Sequence, residues 1–266
     1  MERIELERMK EWFSGYCRSF YTDSLEDNRN FALKEKHTGL VCTNMDILAD
    51  SLTLHDNERL TAEAIALFHD VGRFEQYRRY STFRDDISLN HATLGVRVLA
   101  EERVLENIAE EERQTIFRAV SFHNVFRIPA AIKERDLLYI RMIRDADKLD
   151  IWRLFAEFYG LPEAERASAA GLGFPDLPEY SRDLLQRLKH REMAHLSTLK
   201  TLNDFKLLQL SWVFDLNFPA SFRLVLERGY IDRLAAALPT DGEVENALRI
   251  VRDFVEYNSG RGENYP

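Results

Sequence analysis

Residues 64–73 read AIALFHDVGR, an apolar run that ends in an adjacent histidine and aspartate, His69 and Asp70, followed closely by Gly72. The apolar spacing predicts a buried helix over about residues 59–71, so an imidazole and a carboxylate stand together where that helix stops. Both side chains are common metal ligands. One such dipeptide is a weak sign of a metal site. Whether a metal site is predicted therefore depends on the positions of the other histidines.

The composition predicts an almost entirely α-helical protein. The chain has 266 residues, 45% hydrophobic and 30% charged, which is ample for a sizeable core. Glycine and proline are sparse, at 11 and 7, whereas Leu, Ala, Glu and Arg recur in long stretches. We expect a helical core with its N-terminal helix over residues 1–160, and a helical C-terminal extension over residues 161–266 packed on it as one compact unit.

The charge balance argues against nucleic-acid polymers as partners. The net charge is −9, from 36 basic and 45 acidic residues, and an acidic surface repels polyanions, although local cations can still hold a small anionic substrate. No segment reads as a signal peptide or a membrane span, so we expect a cytoplasmic protein without membrane association. Cys17 and Cys42 form no CxxC motif, which argues against a disulfide framework or a thiolate zinc site.

Three further histidines stand near predicted helix ends. In KEKHTGLV, His37 lies near the start of a predicted helix, where a capping or solvent-exposed role is the alternative to metal binding. In LNHATLG, His91 lies in the first turn of a helix for which Ser88 is a plausible N-cap. In SFHN, His123 lies in the last turn of a helix, where it can also simply complement the helix dipole.

The stretch RDADKLD interrupts the apolar face of a predicted helix that spans residues 137–160. Asp147 is flanked by apolar turns on both sides, and a buried carboxylate requires a cation or a hydrogen-bond network. The alternative to a metal is a structural salt bridge to an arginine.

Residues 72–86, GRFEQYRRYSTFRDD, are predicted to form a polar loop. They contain Arg73, Arg78, Arg79 and Arg84. Either these charges keep a solvated loop soluble, or one or two guanidinium groups clamp a phosphate, for which their planar fork is suited.

The C-terminal part is predicted to be a connector followed by helices. Residues 161–178 concentrate small residues, glycine and proline, which indicates a connector. Helices are expected over residues 179–202, 204–216, from Pro219 onward and over residues 242–258. The aromatic stretch over residues 211–226 fits either the core or a subunit contact, so a homodimer remains open.

Taken together, the sequence offers one ordered set of candidate ligands. The set is His37, His69, Asp70, His91, His123 and Asp147. Imidazoles and carboxylates suit a divalent transition metal such as Mn, Fe, Co, Ni or Zn, and six such groups exceed what one tetrahedral ion needs. Two ions that share a carboxylate would use them all.

The order H…HD…H…H…D resembles that of the HD-domain superfamily of metal-dependent phosphohydrolases, over about residues 35–155. The matching motifs are KEKHTGLV, LFHDVGRF, LNHATLG, SFHN and RDADKLD. The resemblance implies an all-α HD-domain helical bundle with additional C-terminal helices. It implies that a first ion is held by His37, His69, Asp70 and Asp147, and a second by His91 and His123 with Asp70 bridging. Asp145 stays an alternative to Asp147.

The resemblance also implies the chemistry, which is hydrolysis of a phosphomonoester or phosphodiester by a metal-activated water. We expect the substrate to be a nucleotide or another small phosphorylated metabolite. The predicted catalytic residues are Asp70, Arg73 and Lys148, and the predicted substrate-binding residues are Arg73, Arg78, Arg84 and Lys148. The alternatives are that Arg73 caps the helix carrying His69 and that Lys148 pairs with Asp145.

Two other functions fit the same family resemblance. HD-fold di-iron oxygenases use a similar set of four histidines and two aspartates to cleave a C–C or C–P bond, so the ligands alone do not separate the two chemistries. We prefer hydrolysis because Arg73 and Lys148 suit a phosphate. A non-catalytic nucleotide-binding regulatory module is disfavoured, since all six ligands are kept.

Overall fold

The structure, a computed structural model, describes residues 1–162 and 165–261. These residues form helices joined by turns, without a β-strand among them, which confirms the all-α prediction. In order, the helices are α1 (Arg3–Arg18), α2 (Leu25–Ser51), α3 (Asp56–Phe68), α4 (Gly72–Tyr80), α5 (His91–Glu101), α6 (Glu110–Phe122), α7 (Glu134–Phe158), α8 (Arg182–Lys189), α9 (Leu202–Ser211), α10 (Pro219–Glu227), α11 (Tyr230–Ala235) and α12 (Gly242–Glu256). Residues 163–164 of the predicted connector and 262–266 of the predicted C-terminal extension lie outside the described residues.

The chain divides into two compact units. Unit 1 comprises residues 1–147 and 167–172, and unit 2 comprises residues 148–166 and the described residues from 173 onward. Helix α7 contributes to both, because the division falls within it, between Asp147 and Lys148. The sequence-based boundary between residues 160 and 161 lies within unit 2, and a C-terminal extension packed on the core stays a prediction.

Helix α4 corrects the prediction of a polar loop over residues 72–86. Phe74 is fully buried, and its ring lies 6.1 Å from that of Phe13 and 5.6 Å from that of Phe20, between ring centroids. Tyr77, one turn later, is also buried. The two aromatic side chains form an apolar stripe at helical spacing, and this burial outweighs the polar composition. The helix ends where Ser81 adopts a left-handed backbone with φ 51°.

Two other boundaries in unit 1 differ from the predictions. Helix α2 begins much earlier than expected, because the Ser24 side chain caps it by accepting a hydrogen bond from the Asp27 N–H. His37 therefore lies in the middle of a helix, fully buried, rather than near the helix start. Helix α5 is capped by Asn90 instead of Ser88, while His91 occupies its first turn as predicted.

Unit 2 is built around apolar and aromatic side chains. The Trp152 indole N–H donates to the carbonyl oxygen of Gln209 at 2.9 Å, and the Phe155 and Phe205 rings pack edge to face. The predicted helix over residues 179–202 is shorter, since α8 ends at Lys189 and Arg191 adopts φ 58°. In the aromatic stretch over residues 211–226, Val213 and Val225 are fully buried within this unit, as a core role predicts. The homodimer stays a prediction.

Among the described residues, no helix combines the length and the apolar character that crossing a membrane requires.

Candidate metal centre

The six predicted ligands come together in unit 1 from five helical segments. His69 and His123 directly follow α3 and α6, and His91 begins α5. His37 lies in α2, and Asp147 lies in α7. Asp70 stands in the turn between α3 and α4, with its carboxylate buried among the four imidazoles.

Gly72 lets α4 begin directly against α5. A Cβ atom at Gly72 would lie 2.1 Å from the carbonyl oxygen of His91 and 2.5 Å from the backbone nitrogen of Gly95. Only glycine permits this approach, because every other side chain would overlap with backbone atoms. The close packing brings Asp70, two residues earlier in the chain, next to His91.

The first group of ligand atoms is formed by His37, His69, Asp70 and Asp147. The Nε2 atoms of His37 and His69 are 3.2 Å apart. Asp70 Oδ2 lies 3.5 Å from His37 Nε2 and 3.7 Å from His69 Nε2. Asp147 Oδ1 lies 3.1 Å from His37 Nε2 and 3.8 Å from His69 Nε2. The spacing of His37, His69 and Asp70 could hold a metal ion, and Asp147 Oδ1 lies beside both imidazoles.

The second group is formed by His91, His123 and the other oxygen of Asp70. The two imidazole Nε2 atoms are 2.9 Å apart. Asp70 Oδ1 lies 3.3 Å from His91 Nε2 and 3.9 Å from His123 Nε2. All three side chains are buried, and this set too could hold a metal ion. The two oxygens of Asp70 therefore face two different sets of imidazoles.

The donor chemistry of the second group fits a cation. His123 Nδ1 lies 2.7 Å from the carbonyl oxygen of Val120, and His91 Nδ1 lies 2.7 Å from Asp85 Oδ2. Both oxygens accept hydrogen bonds, so each Nδ1 carries the proton and each neutral ring presents a lone pair at Nε2. Two buried lone pairs that face each other at 2.9 Å repel unless a cation neutralises them. His69 is fixed in the same way by the Ala66 carbonyl oxygen.

The electrostatics favour the neutral forms of His69, His91 and His123 and the charged forms of Asp70 and Asp147. Burial, and then the neighbouring His91 and His69, lower the pKa of His123 to about 3. Burial alone would raise the pKa of Asp70, but the Lys34 ammonium and then His69 and Arg73 outweigh it and hold that pKa well below its usual range. Burial would also raise the pKa of Asp147, but the contacts with His37 and His69 together outweigh burial and lower that pKa. Neutral imidazoles and ionised carboxylates are the forms that bind metals.

The predicted cations have different surroundings. Arg73 Nε lies 3.4 Å from Asp70 Oδ1, and its Nη1 donates to the carbonyl oxygen of Phe83 and to Asp85. The other three pair elsewhere: Arg78 with Glu75, Arg84 with Asp86, and Lys148 with Asp215 in unit 2. Lys148 Nζ lies 2.7 Å from Asp215 Oδ2, and the expected pairing of Lys148 with Asp145 stays a prediction.

Two residues of the centre were missed by the sequence reasoning. Lys34 Nζ lies 2.7 Å from Asp70 Oδ2. It stands three residues before His37, a spacing that places both on one helix face, so an earlier predicted start for α2 would have found it. Asp85 contacts His91, but it lies in a short 3-10 helix over Asp85–Ile87, where no periodicity reports which way a side chain points.

Residues 35–152 match the family described as the HD domain, and all six predicted ligands lie inside this match. This segment is therefore an HD domain, and the resemblance drawn from the motifs is confirmed for it. HD domains are typical of metal-dependent phosphohydrolases and bind divalent metals. Among curated proteins and solved structures, no match to the chain is found.

Proposed function

We propose that this chain is a phosphohydrolase that uses two divalent transition-metal ions, drawn from Mn, Fe, Co, Ni or Zn. Its substrate is a phosphomonoester or phosphodiester of small size, such as a nucleotide. The observation that carries the proposal is the position of Asp70, whose Oδ2 faces His37 and His69 while its Oδ1 faces His91 and His123. A carboxylate presented in this way suits a bridging role between two ions.

The chain's residues hold and orient the ligand atoms. His37, His69, Asp70 and Asp147 would hold the first ion, and Asp70, His91 and His123 the second. The Nδ1 hydrogen bonds of His69, His91 and His123 fix their rings with Nε2 turned inward, which is the usual support for an imidazole ligand. Divalent ions bound there supply Lewis-acid chemistry, which polarises a phosphate oxygen and lowers the pKa of a water molecule.

Lys34 and Arg73 are the cations that we assign to the substrate phosphate. Each contacts one oxygen of Asp70, and both lie over the Phe83 ring, 5.2 Å and 5.9 Å from its centroid. Lys34 supplies a compact point charge and Arg73 a planar fork, and both bind phosphate oxygens well. Arg78, Arg84 and Lys148 pair with Glu75, Asp86 and Asp215 respectively, which makes them weaker candidates for this role.

The charge balance of the centre supports an anionic substrate. Asp70, Asp85 and Asp147 carry three negative charges, against two positive charges on Lys34 and Arg73. Two divalent ions would turn this net formal charge of minus one into plus three. A buried positive centre favours a phosphate dianion and stabilises the charge that develops on its oxygens during displacement.

The test is a phosphate-release screen with chelator-stripped protein reloaded with Mn²⁺, Fe²⁺, Co²⁺ or Ni²⁺. We expect metal-dependent phosphate release from nucleotides or generic phosphomonoesters, abolished in Asp70→Asn. The matched control is Asp136→Asn. Asp136 is a buried aspartate of α7 that pairs with Arg118 and Thr115, so this variant should keep the activity. Substrate-dependent oxygen uptake by an iron-loaded protein would instead indicate an oxygenase. Nucleotide binding without turnover would indicate a regulatory module.

A further inference from the structure

Asp85 lies at the centre of a ring of hydrogen-bond donors beside the second group of ligand atoms. Its Oδ1 accepts from Arg73 Nη1 at 3.0 Å and from Gln76 Nε2 at 2.8 Å. Its Oδ2 accepts from Asn124 Nδ2 at 3.1 Å. His91 Nδ1 lies within 2.9 Å of both oxygens, so the imidazole is held against the whole carboxylate.

This arrangement requires a group that only accepts hydrogen bonds. An asparagine at position 85 has nearly the same shape, but one of its two positions would be an amide NH₂ group. If the NH₂ group of the asparagine took the Oδ2 position, this group would face the N–H donors of His91 and Asn124. At the Oδ1 position it would face those of Arg73 and Gln76. Either orientation sets donors against donors in a largely buried place, which is unfavourable.

The carboxylate decides which nitrogen of His91 carries the proton. With Nδ1–H directed at Asp85, the Nε2 lone pair points toward Asp70 Oδ1 at 3.3 Å and His123 Nε2 at 2.9 Å. An amide donor facing Nδ1 would favour the other tautomer, in which Nε2 carries the proton and cannot bind a metal. His69 and His123 are oriented by carbonyl oxygens of their own helices, so neither depends on Asp85.

We propose that Asp85 is a positioning residue that orients His91 as a ligand of the second metal ion, so that the chain without this carboxylate holds one ion instead of two. The inference rests on the proposed function only in taking the centre to bind two ions. Loss of a carboxylate that orients a ligating histidine typically weakens metal affinity by roughly 10–100-fold.

The experiment counts metal ions in the full chain. Wild type, Asp85→Asn and two controls are stripped with chelator and dialysed against Mn²⁺ at the lowest free concentration that loads wild type fully. Bound metal is then measured, and each protein is melted in chelator. The first control is Asp86→Asn, the exposed neighbour that pairs with Arg84. The second is Asp136→Asn, a buried structural aspartate. We expect two ions in wild type and in both controls, and one in Asp85→Asn.

A purely structural role would give a different result. Asp85→Asn would then melt earlier in chelator, as Asp136→Asn should, but would still bind two ions with wild-type affinity, and this would overturn the proposal. In a His91→Ala background we expect Asp85→Asn to leave the single remaining ion unaffected, because Asp85 acts through His91. That comparison decides the question even if the single variant folds poorly. Wild-type protein that binds two ions supports the binuclear proposal whatever Asp85→Asn does, whereas wild type without metal overturns both.

Discussion

Replacing Gly72 by alanine tests whether the approach of α4 to α5 builds the second group of ligand atoms. The added Cβ would lie 2.1 Å from the His91 carbonyl oxygen, whereas ordinary contact begins at 3.4 Å, so the two backbones must separate by about 1.3 Å. His91 would move with its backbone. Metal–ligand distances tolerate only about 0.2 Å, so we expect Gly72→Ala to lose the second ion.

The same overlap sets the expected loss of stability. Overpacking of this kind costs about 1–3 kcal/mol, which lowers the melting temperature by roughly 2–12 °C for a chain of this size. The assay is thermal unfolding followed by circular dichroism in chelator, so that packing is measured without the contribution of metal binding. Metal content is then measured on the same samples after dialysis against Mn²⁺.

Two other glycines provide a graded comparison. A Cβ at Gly95 would approach the Val71 side chain at 3.2 Å and the Gly72 nitrogen at 3.3 Å, so Gly95→Ala should be milder. Gly15 in α1 has nothing within 4 Å, and Gly15→Ala should stabilise the protein by about 0.4–1 kcal/mol, because it restricts the unfolded chain. If Gly72→Ala behaved like Gly15→Ala and kept two ions, the packing argument would be refuted.

Three further predictions concern the metal centre. Lys34→Met should weaken competitive inhibition by inorganic phosphate about tenfold, which is the equivalent of one charge-assisted hydrogen bond. Metal content should stay unchanged, and a lower metal content would show that Lys34 has a structural role instead. Asn44 donates to the Ala146 carbonyl oxygen at 3.0 Å, beside Asp147, so Asn44→Ala should cost about 1 kcal/mol in chelator melts and weaken the first ion in titrations. Restoring Mn²⁺ at a hundredfold over its Kd should stabilise stripped wild type by about 2.7 kcal/mol for each ion bound, and an unchanged melting temperature would contradict metal binding.

The sequence was sufficient to predict which imidazoles and carboxylates lie close together in the folded chain; that they bind metal stays a prediction. His69 and His123 follow apolar helices and His91 begins one, so periodicity alone placed all three at helix ends. The ordered spacing of the motifs then supplied Asp147 and His37, although the start of α2 was predicted too late and left His37 near a helix terminus. The error arose because Asn28 and Asn30 made the first turns of α2 read as a loop, while the Ser24 cap lies earlier still.

The support around the ligands could not be predicted in the same way. Asp85 reaches His91 from a segment without regular periodicity, and its direction is set by contacts with Arg73 and Asn124 that are formed only in the folded chain. Residues 72–80 read as a loop because their polar side chains outnumber the apolar ones. Burial of Phe74 and Tyr77 makes them a helix, which local composition does not report.

Whether Asp70 joins two metal ions is tested by the number of ions that the purified chain binds, compared with Asp70→Asn. Because Asp70 is the one carboxylate whose two oxygens face both pairs of imidazoles among the described residues, its loss should affect both ions at once. We predict two Mn²⁺ ions per chain in wild type and fewer than one in Asp70→Asn at equal free Mn²⁺. A wild-type chain that binds no metal, or an Asp70→Asn variant that binds two ions as tightly as wild type, would show that Asp70 does not bridge two ions.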